Sequence, residues 1–99
     1  MALKGQTLER TGSKTKEPKR YNVVMLNDDF TTMDFVVAIL IEIFHKDTLT
    51  AEALMLDVHK KGKAVVGTYS YDIASTKTQA AMERAREEGF PFRMLVEEA

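Results

Sequence analysis

The segment Tyr21-Asn22-Val23-Val24-Met25-Leu26 constrains this chain most, because it is apolar and partly β-branched on both faces. A run of that length and composition suits a well-buried strand, so the remaining chain must supply its cover. Ninety-nine residues provide for one core and leave no room for a second. Residues 1–19 precede the strand with polar and charged side chains, Gly5, Gly12 and Pro18, and no apolar periodicity. They lack the surface that offsets ordering entropy and read as a mobile tail, with the folded domain over residues 20–99.

Beyond the strand, Asn27-Asp28-Asp29 are turn formers whose side chains bond nearby backbone. Thr31-Thr32-Met33-Asp34 fits a capping box with Thr31 at the N-cap, and Met33, Val36, Val37, Leu40 and Phe44 follow at helical spacing. A second helix is expected from about Thr50 to the stop signal Lys60-Lys61-Gly62. Ala64 to Tyr69 reads as a strand. Ser70 opens a third helix that Gly89 and Pro91 close near Glu88. Phe92, Met94 and Val96 alternate with polar or outward positions as a last strand. The order is βααβαβ, an α+β fold with a three-stranded sheet packed against three helices.

Several function classes drop out early. With no cysteine there is no disulfide, thiol nucleophile or cysteine-bound metal. The N-terminus lacks an apolar signal region, and the longest apolar run is far below the roughly 20 residues that span a bilayer. A cytoplasmic protein with no membrane partner is the expectation. Six basic and two acidic residues lie in positions 1–20, against eight basic and thirteen acidic in the rest. An acidic body lacks the basic face that nucleic acid requires. No dinucleotide or phosphate loop, no HExxH and no marked nucleophile is present, so no catalytic residue, metal or cofactor is assigned.

Two places carry chemistry. One is the Asn27-Asp28-Asp29 turn; the other is a face of the second helix where Met55, Val58 and His59 stand at i, i+3 and i+4. Brought together, an amide, two carboxylates and an imidazole would suit an α-ammonium, which has three donors and no acceptor. Met33, Val36, Met55 and Val58 would then line a hole for the adjoining side chain, methionine accepting several shapes. Each feature also has a plain reading. Asn-Asp-Asp ahead of a helix is ordinary turn and helix-start chemistry; apolar residues at helical spacing are ordinarily core, and one histidine is ordinarily structural.

At these same residues the chain resembles the ClpS family, the bacterial N-end rule adaptors of the Clp protease. The resemblance runs from about Tyr21 to Glu97. It rests on Leu26-Asn27-Asp28-Asp29-Phe30-Thr31 followed by Met33-Asp34-Phe35-Val36, and on Ala53 to Ala64 with Met55, Val58, His59 and Gly62 in register. It implies a non-enzymatic adaptor, monomeric, that binds substrates beginning with Leu, Phe, Tyr or Trp and delivers them to a ClpA-type AAA+ unfoldase with its ClpP peptidase. Carried over, Asn27, Asp28 and His59 hold the substrate α-amine, with Asp29 and Thr31 shaping the turn. Met33, Val36, Met55, Val58 and Phe92 line the side-chain pocket, Met33 as a gate. Asp72 and Lys77 fall at positions of unfoldase docking, and the tail engages the unfoldase pore. Two departures stand out: Thr32 where proline is common, and Phe92 where leucine is usual. The alternative is an interaction domain of similar α+β architecture that recruits protein factors without recognising N-termini.

Overall fold

A computed structural model describes residues 18–99. The tail expected over residues 1–19 lies, save its last two residues, outside them. The elements are β1 (Tyr21–Leu26), α1 (Met33–Glu42), α2 (Thr48–Lys61), β2 (Lys63–Tyr69), α3 (Tyr71–Glu87) and β3 (Met94–Glu98), in the expected βααβαβ order. β1 is the central strand, antiparallel to β2 on one side and β3 on the other.

Burial follows from the pleat. Tyr21, Val23 and Met25 point to one face, where Val23 and Met25 join Phe35, Ile39, Leu40, Ala81 and Met94 in the core. Val24 points the other way and is also buried, outside that cluster and opposite the half-exposed Val65 and Leu95. The strand is therefore covered by helices on one face and by its own cross-strand neighbours on the other. β2 carries a bulge: Val23 pairs with Gly67 and Val24 with Val65, leaving Val66 unmatched. Val66 is buried and Tyr69 packs against the same core. Residues an odd number apart share a face only because of that extra residue. Gly67 leaves the space Tyr69 needs, since a Cβ there would stand 2.6 Å from the phenol oxygen.

The helices bury unequal stripes. α1 turns Phe35, Val36, Ile39 and Leu40 inward, and α3 turns in Ala74, Thr78, Ala81 and Ala85, small residues that permit a close approach to the sheet. α2 buries only Ala51 and Val58. It therefore packs against α1 and β2 and keeps most of its surface open. Its limits differ from expectation because Asp47, not a residue near Thr50, is the N-cap, its carboxylate accepting from the Thr50 N–H at 2.7 Å. α1 is likewise capped by Thr32, whose hydroxyl accepts from the Phe35 N–H at 3.2 Å. Thr31 is not the cap, and Asp34 lies in the first turn without completing a capping box. Ser70 occupies the N-cap of α3 without a side-chain capping bond. β3 begins at Met94, although Phe92 already has the expected inward orientation, buried like Met94 while Arg93 is exposed.

The helix ends are fixed by two left-handed glycines. Gly89 (φ 79) closes α3 in a Schellman motif, with its N–H on the Arg86 carbonyl and the Phe90 N–H on that of Ala85. Gly62 (φ 90) closes α2, its N–H on the Val58 carbonyl at 2.9 Å. Nothing lies within 4 Å of where a Gly62 Cβ would stand, so the demand for glycine there is conformational and not spatial. Gly62→Ala is expected to lower stability by about 1 kcal/mol, and Gly62→Val by more, read as the shift in urea midpoint at unchanged m-value. Equal stability of all three proteins would contradict this account.

Candidate functional site

The turn after β1 is built around one carboxylate. Asp28 Oδ1 accepts from the Phe30 N–H at 2.8 Å and the Thr31 N–H at 2.7 Å, and Oδ2 accepts from the Thr31 hydroxyl at 2.7 Å. This is an Asx-type turn, in which the side chain replaces the missing backbone acceptor. Partial burial by itself disfavours the charged form. The three hydrogen bonds outweigh it and hold the Asp28 carboxyl below its usual range. Asp28 thus spends most of its accepting capacity inside the turn, and Thr31 is its partner. Among the described residues the side chains of Asn27, Asp29 and His59 make no such bond.

The second half of the site comes from the last turns of α2. Met55 is half-buried, Val58 is 4% exposed, and His59 is exposed on the same flank. The two halves are tied by backbone: the Asn27 N–H donates to the Gly62 carbonyl at 2.9 Å, and the neighbouring Leu26 N–H to that of Arg93 at 3.1 Å. These bonds hold the turn against the end of α2 on one side and the approach to β3 on the other.

Between the halves lies a cavity of about 190 Å³. Its polar wall is Asn27, Asp28, Asp29, Thr31 and His59, and its apolar wall is Met33, Val36, Met55 and Val58. All nine were singled out in the sequence, and the fold places them around one hole. Phe92 is not among the lining residues. Its ring is 4% exposed and lies edge-on to Phe35, centroids 5.9 Å apart, behind the wall. The inward alternation that marks Phe92 as apolar and buried does not distinguish pocket wall from core. Asp72 stands exposed in the first turn of α3, away from the cavity. Lys77 is turned inward: its ammonium donates to the Ile43 carbonyl at 2.8 Å and sits over the Phe44 and Tyr69 rings, at 5.9 and 5.8 Å. It satisfies a terminal carbonyl of α1, a role its sequence position did not reveal. Sequence reasoning also missed the bond from Asn27 to Gly62. The available signal was the absence of any linker between the helix stop and the following strand.

The cavity offers acceptors on one side and apolar surface on the other. Among the described residues no group of three or more His, Asp or Glu side chains is placed to hold a metal, and no helix is long and apolar enough to cross a membrane.

Comparison with known proteins places the chain in one family. The model of the family described as ATP-dependent Clp protease adaptor protein ClpS matches residues 16–95. A protein named ATP-dependent Clp protease adapter protein ClpS from Acetivibrio thermocellus is 50% identical over 97 residues, covering 98% of each chain. One of the same name from Paraburkholderia xenovorans is 50% identical over 95 residues, covering 96% of this chain and 91% of that one. Among solved structures, Agrobacterium tumefaciens ClpS2 bound to L-phenylalaninamide superposes with a TM-score of 0.82 at 37% identity, over 84% of this chain and 100% of that one.

The Asp28 hydrogen bonds predict a pH dependence of stability. A carboxyl whose pKa is depressed on folding stabilises the fold above its unfolded value, about 3.9, and that contribution disappears as pH falls through the lower folded value. Asp28→Ala is expected to cost about 1 kcal/mol at pH 7. The gap between variant and wild type should narrow steadily below about pH 4. A gap independent of pH down to pH 2 would show that Asp28 does not stabilise the turn as a carboxylate.

Proposed function

As the chain belongs to the ClpS family of ATP-dependent Clp protease adaptor proteins, we propose that it binds the free N-terminus of proteins beginning with Leu, Phe, Tyr or Trp and delivers them to a ClpA-type unfoldase and ClpP. The observation that supports this reading best is the two-sided cavity. An α-ammonium presents three N–H donors beside the first side chain, and the cavity sets acceptors beside an apolar hole. L-Phenylalaninamide, which ClpS2 binds, has that form: a free α-amine next to a bulky apolar group.

Roles divide by what each side chain has left to offer. The Asn27 side-chain carbonyl and the His59 imidazole make no turn bond and are left to the ligand, and the Asp29 carboxylate supplies charge from the edge. Asp28 contributes its negative charge and one remaining acceptor position while it holds Thr31 and Phe30 in the turn. Met33, 49% exposed, stands as the gate at the mouth, and Val36, Met55 and Val58 form the walls. The adaptor acts as a monomer in the cytoplasm, with residues 20–99 as its folded domain. Asp72 gives the unfoldase a docking charge, and Lys77 holds α3 against the end of α1 so that this surface keeps its shape.

Acetylation tests the amine directly. A Leu- or Phe-first peptide should lose about a hundredfold in affinity when acetylated, since that step removes the charge and two of three donors. His59→Ala should weaken the free peptide with little change in stability, because the side chain is exposed. Equal binding of free and acetylated peptides would end the proposal.

Delivery is tested separately. Removing residues 1–17 is expected to leave peptide affinity unchanged and stop degradation of a Leu-first reporter by the unfoldase and peptidase. If the truncated protein still delivers, the tail is not what the unfoldase engages.

A further inference from the structure

The chain has no cysteine, so its six methionines carry all of its sulfur chemistry. All but Met1 lie among the described residues, and their burial is unequal. Met25 and Met94 sit in the core at 0% and 2% exposed, and Met55 and Met82 are half-buried. Met33, at the first position of α1, is 49% exposed and stands outside the core. It also faces two spaces at once. With Met55 it lines the cavity beside the turn, and the same pair lines an adjoining groove of about 350 Å³ between α1 and α2. The most accessible thioether among the described residues is therefore a wall of the cavity.

We propose that Met33 is a site of reversible oxidation, and that its sulfoxide weakens the binding of apolar first residues. The inference rests on the N-terminal reading above and deepens it by giving that site a redox regulation. The oxidant is a peroxide. A sulfur lone pair forms the S–O bond as the O–O bond breaks, and sulfur is oxidised by two electrons. The departing hydroxide takes the remaining proton and leaves as water. Access selects the residue, since a thioether held in the core meets oxidant only when the fold opens. The product replaces an apolar side chain with a polar one. An apolar first side chain seated against Met33 would strip water from the new oxygen without offering it a donor. Because Met33 lies outside the core, the effect falls on binding and not on stability.

The test treats the full chain with graded hydrogen peroxide and maps each sulfoxide by mass spectrometry. Affinity for a Phe-first peptide and the urea midpoint are measured on the same samples. Met33 should be oxidised ahead of Met55, Met82, Met25 and Met94. Affinity should fall about tenfold in step with it, at unchanged urea midpoint. Thiol-dependent methionine sulfoxide reductases for both sulfur epimers should restore it. Each variant is compared with its own untreated form: Met33→Leu should cut the loss to about twofold or less, and Met82→Leu, on the outer side of α3, should lose as much as wild type. Three results would overturn the inference: Met82 oxidised before Met33, full conversion of Met33 with affinity unchanged, or an undiminished loss in Met33→Leu. Untreated protein measured with free and acetylated peptides separates the two levels. If it binds the free peptide alone while peroxide has no effect through Met33, the N-terminal reading stands and only the oxidation site is refuted.

Discussion

The site depends on the hydrogen bond from the Asn27 N–H to the Gly62 carbonyl. It joins the end of the central strand to the end of α2, two points 35 residues apart in sequence. The carbonyl is available because Gly62 takes a left-handed conformation that ends the helix and starts β2 at the next residue. A longer connection would still let α2 pack on α1. It would not fix the rotation that sets Val58 inward and His59 beside the turn. The sheet adds a second restraint, since the Leu26 N–H bonds to the Arg93 carbonyl on the other side of β1. The turn bearing Asn27, Asp28 and Asp29 is thus held from two directions before any side chain contributes.

Asp28 completes that arrangement by facing inward. A carboxylate has about four acceptor positions, and three are taken by Thr31 and Phe30. The neighbouring Asn27 and Asp29 are exposed and make no competing turn bond. Three adjacent polar residues therefore divide two tasks: one builds the loop and its neighbours face the cavity. Preorganisation of this kind lowers the ordering cost of binding, because the acceptors are already in place when a ligand arrives.

Much of this was legible in the sequence, and the exceptions have physical causes. The helix ends at Gly62 and Gly89 could be read because only glycine enters the left-handed region without penalty, which makes it a near-unique mark. The nine cavity residues could be listed from their spacing and from the resemblance. Their assembly could not, since it depends on a backbone bond with no side-chain signature. The cap fell to Thr32 and not Thr31 because both can cap, and the Asp28 carboxylate captures the Thr31 hydroxyl for the turn. Phe92 was placed in the wall by resemblance. The structure puts its ring against Phe35, where the alternation of the last strand permits either location. The Lys77 ammonium was unreadable for a similar reason: its partner is a carbonyl 34 residues away.

The narrow buried stripe of α2 is what leaves open, partly apolar surface beside the turn. α1 and α3 each bury four residues, whereas α2 buries two and leaves Met55 half-covered and Leu56 exposed. A helix more deeply packed would be more stable, but it would fill the space now shared by the cavity and its adjoining groove. Methionine suits the partition between them, because an unbranched thioether can follow ligands of different shape on both sides. Movement of Met33 or Met55 changes the width of the cavity and of the groove together. Because Met33 and Met55 line both spaces, substitutions at either methionine act on both.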